Sequence, residues 1–344
     1  PLLIAPFVFF KVPLIVLRLL NGLLLYLSLI ISYKTFSVYS SGRSAMFYTV
    51  LLGLYYPVFQ VMLLVWTECL TWFLISSICF MFIKYFDQTH LSRKHVLLMA
   101  AAMAWLAMTK VIFGYVIPVM LLVSIFLLII PAFRIPAKRS VLIFLLSFVF
   151  CLPWLLYTWR LTDKFFYWTN SGGMSLYTMS TPYANELGNW ETIPVLKSNP
   201  NRQAFIDSIL KLKPLEKDEA YKTAAIENIK KHPGKFFSNW KANVGRLLFN
   251  YPFSRARQSI QSFNTIIPNM FVVVLVILTF PFCMVRYKRF SGGMVMIFLF
   301  FVIYFFGSSL VSAYPRMFYV TMPFWFLFIS YIFGNIISVR LKQD

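Results

Sequence analysis

The sequence predicts an all-α polytopic membrane protein of about nine transmembrane helices, with one mainly helical extracytoplasmic domain. Three observations predict it. Of the 344 residues, 60% are hydrophobic and only 12% are charged, whereas soluble domains carry about 25% charged residues. Six long stretches hold no charge at all: 44–67, 111–133, 140–159, 258–285, 290–315 and 317–339. Eight of the eleven acids fall in one segment, 161–264. The composition also excludes disorder, because 19% of residues are aromatic and disordered chains are poor in aromatic and apolar residues.

Each charge-free stretch reaches the roughly 18–20 residues that cross about 30 Å of hydrocarbon as a helix. In lipid a helix satisfies its own backbone, so such a stretch has few other forms. Shorter apolar stretches at 12–33, 69–86 and 96–109 complete the set. The chain then divides into transmembrane helices over 1–160, an outer domain over 161–264 and C-terminal transmembrane helices over 265–344. It opens on Pro1 inside apolar sequence, which leads us to expect a further membrane helix and loop ahead of it.

Lys and Arg collect in loops on the cytoplasmic side of a membrane. The short basic loops are Lys34–Arg43, Lys84–His95, Arg134–Arg139 and Arg286–Arg289, with the tail Arg340–Lys342. With all five inside, the spans alternate without conflict and 161–264 lies outside. The net charge of +21 is therefore mainly a topology signal and an attraction to anionic membrane lipid. Nucleic-acid binding needs a basic face on a soluble module. None is evident, so no nucleic-acid partner is expected.

Within the outer domain, 214–231 reads as a helix opened by Pro214, with acids in its first turn and lysines in its last, stopped by His232-Pro233-Gly234. In 235–249, Phe236, Phe237, Trp240, Val244, Leu247 and Leu248 recur near helical spacing. That suits a helix packed on a core or lying along the membrane surface. Gly172-Gly173 reads either as a flexible loop or as a point where backbone approaches a ligand. Cys69, Cys79, Cys151 and Cys283 all fall in apolar spans and read as small buried hydrophobes. His90, His95 and His232 lack metal-ligand partners.

This topology places four charged residues at the outer ends of different helices: Glu68, Lys110, Arg160 and Arg316. Trp66, Trp154, Trp159 and Trp168 lie near the same level. Three cations there suit the phosphate of a ligand whose lipid tail stays in the bilayer. Other readings stand beside this one. Lys110 and Arg160 fit as snorkelling interfacial residues, the tryptophans fit as belt anchors, and Glu68 fits as a partner that sets helix packing. An ionisable group at membrane depth costs a few kcal/mol or more unless partnered. One in-span carboxylate does not define a divalent-metal site, so no cofactor is assigned and metal is left open.

Five blocks carry a family resemblance: GLYYPVFQVMLLVWTECL (53–70), AMAWLAMTKVIFGYVIP (102–118), LPWLLYTWRL (152–161), AAIENIKKHPGKFFSNWKANVGRLLF (224–249) and AYPRMFYVTMPFWF (313–326). In their order the chain resembles bacterial GT-C membrane glycosyltransferases of family 39 type, the protein O-mannosyltransferase-like and lipid A aminoarabinose transferase-like enzymes. Lys110 stands where the family usually has Arg, and Met317 where it has Tyr. The resemblance implies a GT-C-like fold in the bacterial cytoplasmic (inner) membrane. It implies transfer of a sugar from a polyprenyl-phosphate donor to a glycan, lipid or protein acceptor at the outer face. Lys110, Arg160 and Arg316 would hold the donor phosphate, and Glu68, Trp154 and Tyr314 would line the cavity. The family's catalytic acid lies in the first outer loop, so the catalytic residue is expected ahead of this chain and this stretch alone is expected to be inactive.

The competing readings are an O-antigen ligase or polymerase, a non-enzymatic lipid or sugar transporter, and a structural membrane protein. The His-Pro helix pair and the Thr67-Glu68 block argue against the first. A transporter is expected to show repeats and charges at the bilayer midplane, and neither is visible. The last leaves the four outer charges unexplained.

Overall fold

A computed structural model describes residues 4–64, 67–255, 259–286 and 289–336. Trp66, Lys288, the basic tail Arg340–Lys342 and the extreme ends of the 44–65 and 317–338 spans lie outside them. Among the described residues every regular element is helical and there is no strand. Among the described residues, five helices are long and apolar enough to cross a membrane: Leu14–Phe36, Glu68–Tyr85, Pro131–Thr162, Ile260–Val285 and Gly292–Ser309. Val111–Leu127 and Met322–Ile336 are shorter and apolar, and Arg93–Thr109 is a further helix of 17 residues.

Two stretches that read as single spans are built in pieces. The 44–65 stretch forms Gly42–Gly53 and Pro57–Met62. Pro57 has no N–H to continue the first ladder, and its fixed φ suits the first turn of a new helix. The carbonyls left at the end of the second piece are met from outside: the Asn21 side-chain amide donates to Met62 O at 3.1 Å and to Leu64 O at 2.9 Å. The 317–338 stretch begins as Arg316–Tyr319, breaks at Thr321, and restarts as Met322–Tyr331 with a proline in its first turn. By contrast, 140–159 lies within a helix of 29 residues, Arg134–Thr162. At 1.5 Å per residue that is about 43 Å, enough to reach both headgroup regions of a bilayer.

Several hydroxyls of the apolar helices are satisfied within their own helix. Ser28, Thr35 and Ser147 each donate to the carbonyl four residues back, at 2.7–2.8 Å. Ile15, Leu19, Leu23 and Tyr26 form an exposed stripe along Leu14–Phe36, and Leu122, Phe126, Ile277 and Leu278 are exposed on other apolar helices. A water-facing surface rarely tolerates such patches.

The chain divides into two compact units. The first is Pro1–Cys151, Ile267–Ile303 and Tyr319–Asp344, and the second is Leu152–Ile266 with Tyr304–Phe318. In the first, the basic loops gather at one end. The Gly293 amide donates to Asp87 Oδ2 at 2.9 Å. Arg139 donates to the carbonyls of Phe86 and, at 2.8 Å, Gln88. Arg286 donates to Ile336 O at 2.6 Å. The Tyr39 ring meets Tyr331 edge-on at 4.5 Å. Gly292 and Gly293 are required there, because a Cβ would stand 2.7 Å from Pro136 or 2.5 Å from the Phe82 carbonyl. Arginines that cap helix-end carbonyls thus tie together loops far apart in sequence.

The second unit is a cluster of helices: Gly172–Met179, Ile193–Lys197, Pro200–Ile209, Pro214–Lys231 and Pro233–Phe249. Its small core joins Tyr177, Leu196, Ile206, Ile209, Tyr221 and Ala225. The 214–231 helix forms with the expected bounds. The Glu216 carboxylate accepts the Lys213 amide at 3.2 Å, satisfying one of the donors that a helix start leaves unpaired.

Candidate functional site

Glu68 is the first residue of helix Glu68–Tyr85, where a carboxylate is favoured by the helix dipole. Lys110 is a single extended residue, φ −131° and ψ 104°, ending Arg93–Thr109 and starting Val111–Leu127. Both positions lie at the ends of their helices remote from Lys84 and Arg93, and so remote from the gathered basic loops. The Lys110 ammonium donates to Glu68 Oε1 at 2.7 Å, with the Glu68 side chain 2% exposed and that of Lys110 18% exposed. The Glu68 carboxylate holds the ammonium, and the lysine is the more accessible member.

Arg160, Trp154, Tyr314 and Arg316 belong to the second unit. The Arg316 guanidinium lies over the Tyr314 ring at 5.0 Å, and Tyr314 packs on Trp190 at 6.2 Å. The Tyr314 hydroxyl is pushed up to about 12, chiefly by burial, with Arg316 opposing and Glu191 adding to the rise. Arg160 is exposed near the end of its helix. Trp154 is also exposed, 5.8 Å from the Tyr157 ring.

The residues that hold the backbone leading to Arg316 lie on Pro233–Phe249. Asn239, Asn243 and Arg246 form a stripe along this helix, and all three are fully buried. The Asn243 amide donates to Ser309 O at 2.7 Å and Val311 O at 2.6 Å, and its oxygen accepts the Ala313 amide at 2.9 Å. Asn239 donates to the carbonyls of Met179 and Thr181 at 3.0 and 2.9 Å. Arg246 donates to Leu187 O and Pro252 O, both at 2.9 Å. Burial lowers the Arg246 guanidinium to about 10, and the Glu191 carboxylate partly offsets this. One helix therefore fixes three non-regular backbone segments, including the one that leads into Tyr314-Pro315-Arg316. Spaced every three or four residues, these polar side chains were visible in the sequence. Their partners are bare carbonyls of remote loops, which leave no pattern there.

The Gly172-Gly173 pair opens helix Gly172–Met179 and so is not part of a loop. The Gly173 amide donates to Asp218 Oδ1 at 2.6 Å, and a Cβ there would fall 2.2 Å from the Asp218 carbonyl oxygen. A second buried charge cluster centres on Glu186, which accepts from Arg202 at 2.6 Å and Thr181 at 2.6 Å. It staples the loop to the helix Pro200–Ile209. Among the described residues, no group of three or more His, Cys, Asp or Glu is placed to hold a metal ion. The four cysteines are buried and unbridged. Compared with known proteins, the chain matches no protein-family model, no curated protein and no solved structure.

Proposed function

We propose that the chain spans the bacterial cytoplasmic membrane about nine times, counting the shorter and broken apolar helices with the long ones. In this reading the second unit lies outside, and the protein transfers a sugar from a polyprenyl-phosphate donor to an acceptor at the outer face. The observation that carries the reading is the two-ended polarity of the first unit. Basic loops gather at one end of its apolar helices, and the buried Glu68–Lys110 pair lies at the other. A topology that puts basic loops inside puts that pair at the outer boundary, where a lipid-linked phosphate presents its charge. Lys110, Arg160 and Arg316 are assigned to the phosphate, stabilising the leaving group as it gains charge. Glu68 orients Lys110, and the Asn243 contacts orient Arg316. Trp154 and Tyr314 supply flat apolar surface beside these cations.

The test is turnover of radiolabelled polyprenyl-phosphate sugar in membranes from cells making the chain together with the preceding loop expected to carry the catalytic acid, with Arg316→Ala and Arg160→Ala compared to wild type. Turnover should fall at least tenfold in Arg316→Ala, the loss expected when about 1.4 kcal/mol of transition-state stabilisation is removed, with the unfolding temperature unchanged. Wild-type turnover in both variants overturns the assignment.

A further inference from the structure

At the basic end of the first unit a cleft of about 420 Å³ opens between the helices Leu14–Phe36, Glu68–Tyr85 and Arg93–Thr109. Its lining is divided. Lys34, Lys94 and His95 bring cationic and hydrogen-bonding groups, while Ile31, Met81 and Leu98 bring an apolar wall. No lining residue is acidic. The nearby carboxylate of Asp87 is engaged by the Gly293 amide at 2.9 Å. One edge is rigid: the Tyr85 and His95 rings stack at 3.8 Å and 11°, and His95 Nδ1 is 3.0 Å from Ser92 Oγ. Lys84 adds a third ammonium beside it, braced over the Phe80 and Tyr85 rings at 5.1 and 5.4 Å.

We propose that this cleft is a binding site for an anionic phospholipid of the leaflet at that end, with the phosphate between Lys34 and Lys94 and an acyl chain along Ile31, Met81 and Leu98. Two features point to a lipid. Ammonium groups with no competing carboxylate recognise phosphate, and a soluble phosphate has no use for the apolar wall beside them. A phospholipid needs both, and a membrane places its headgroup at the level of the basic loops. The proposal rests on the membrane-spanning reading alone, and binding is measured without turnover, so it stands or falls separately from sugar transfer.

The experiment is native mass spectrometry of the purified full chain in detergent micelles titrated with phosphatidylglycerol or phosphatidylcholine. Wild type should retain phosphatidylglycerol in preference. Lys34→Gln/Lys94→Gln should weaken that binding on the order of thirtyfold, as expected for two lysines near a lipid phosphate, and leave phosphatidylcholine unchanged. Arg134→Gln/Lys138→Gln removes the same charge from the exposed first turns of the helix Arg134–Thr162 at the same end and should bind as wild type. Equal weakening in both double variants would show diffuse surface charge and overturn the site. So would the absence of any preference in wild type, or displacement of the lipid by millimolar inorganic phosphate, which would mark a soluble anion as the ligand.

Discussion

The Lys110 ammonium stands 2.7 Å from the Glu68 carboxylate, joining the single residue between two helices to the first residue of a third. Breaking a buried pair from one side is costly, because the other charge is left without compensation, whereas replacing both partners is often nearly neutral. Lys110→Met should therefore lower stability by about 3–5 kcal/mol. Glu68→Gln/Lys110→Met should recover most of that loss while remaining poor in sugar transfer, since the lysine itself is gone. Thermal unfolding of the purified variants in one detergent checks the coupling. A double variant as unstable as Lys110→Met would show that the pair does not hold the helices together.

Adjacent glycines give a matched pair of opposite expectation. A Cβ at Gly172 meets nothing within 4 Å, while one at Gly173 falls 2.2 Å from the Asp218 carbonyl oxygen. Both positions are helical, so alanine gains about 0.5–1 kcal/mol of backbone entropy at Gly172. At Gly173 the same gain is overwhelmed by displacement of the 214–231 helix and loss of the amide bond to Asp218. Gly173→Ala should destabilise the second unit by more than about 2 kcal/mol, and Gly172→Ala should match or exceed wild type. Similar unfolding temperatures for the two variants would contradict this packing.

Asn243 makes three bonds to the 309–313 backbone. Asn243→Ala leaves those buried groups unpaired, at about 1–3 kcal/mol each where water cannot reach them. The segment should become sensitive to protease near Ser309–Ala313, and turnover should fall with Arg316 itself intact. Asn243→Gln has the same chemistry on a longer arm and should not rescue. Undiminished turnover together with an exposed segment would mean that the placement of Arg316 is irrelevant to activity.

The helices were legible where their signals are local. Pro214, Glu216, the terminal lysines and His232-Pro233 delimit Pro214–Lys231 by chemistry within one turn of each end. Charge-free length marked the long apolar helices, but length says nothing of Pro57, which starts a second helix in what hydropathy reads as one. The helix over 233–249 shows the sharper limit. Its aromatic spacing suggested a packed or membrane-facing surface. The fold buries Leu247 of that set, adds Asn239, Asn243 and Arg246 to the buried face, and leaves Phe237 55% exposed. Hydrophobic periodicity does not reveal these three polar residues, because they are satisfied largely by carbonyls from loops, several about 60–70 residues away, a match set by tertiary structure alone. Glu68, Lys110, Arg160 and Arg316 were identifiable as ionisable groups in apolar surroundings, whereas the Glu68–Lys110 pairing required the helix ends to be brought together.

Tyr177 gives the second unit a calculable alkaline limit. Its hydroxyl is pushed up to about 12 by burial, which outweighs the opposing charge of Arg202, while Tyr183, Tyr221 and Glu186 add to the rise. In the unfolded chain the group titrates near 10. Below pH ~10 it is protonated in both states and stability is independent of it. Between about 10 and 12 the unfolded chain releases the proton first, so it binds fewer protons than the fold and stability falls as pH rises. Over that window the loss reaches about 2–3 kcal/mol for one group. Tyr177→Phe keeps the ring that packs on Tyr221 at 5.2 Å and removes the proton. Its unfolding midpoint should decline less steeply than that of wild type from pH 9 to 11, with the residual slope coming from groups such as Tyr314. Denaturant unfolding across that range, followed with tyrosinate absorbance, checks this, and parallel slopes for the two proteins would show that Tyr177 is not shielded in the fold.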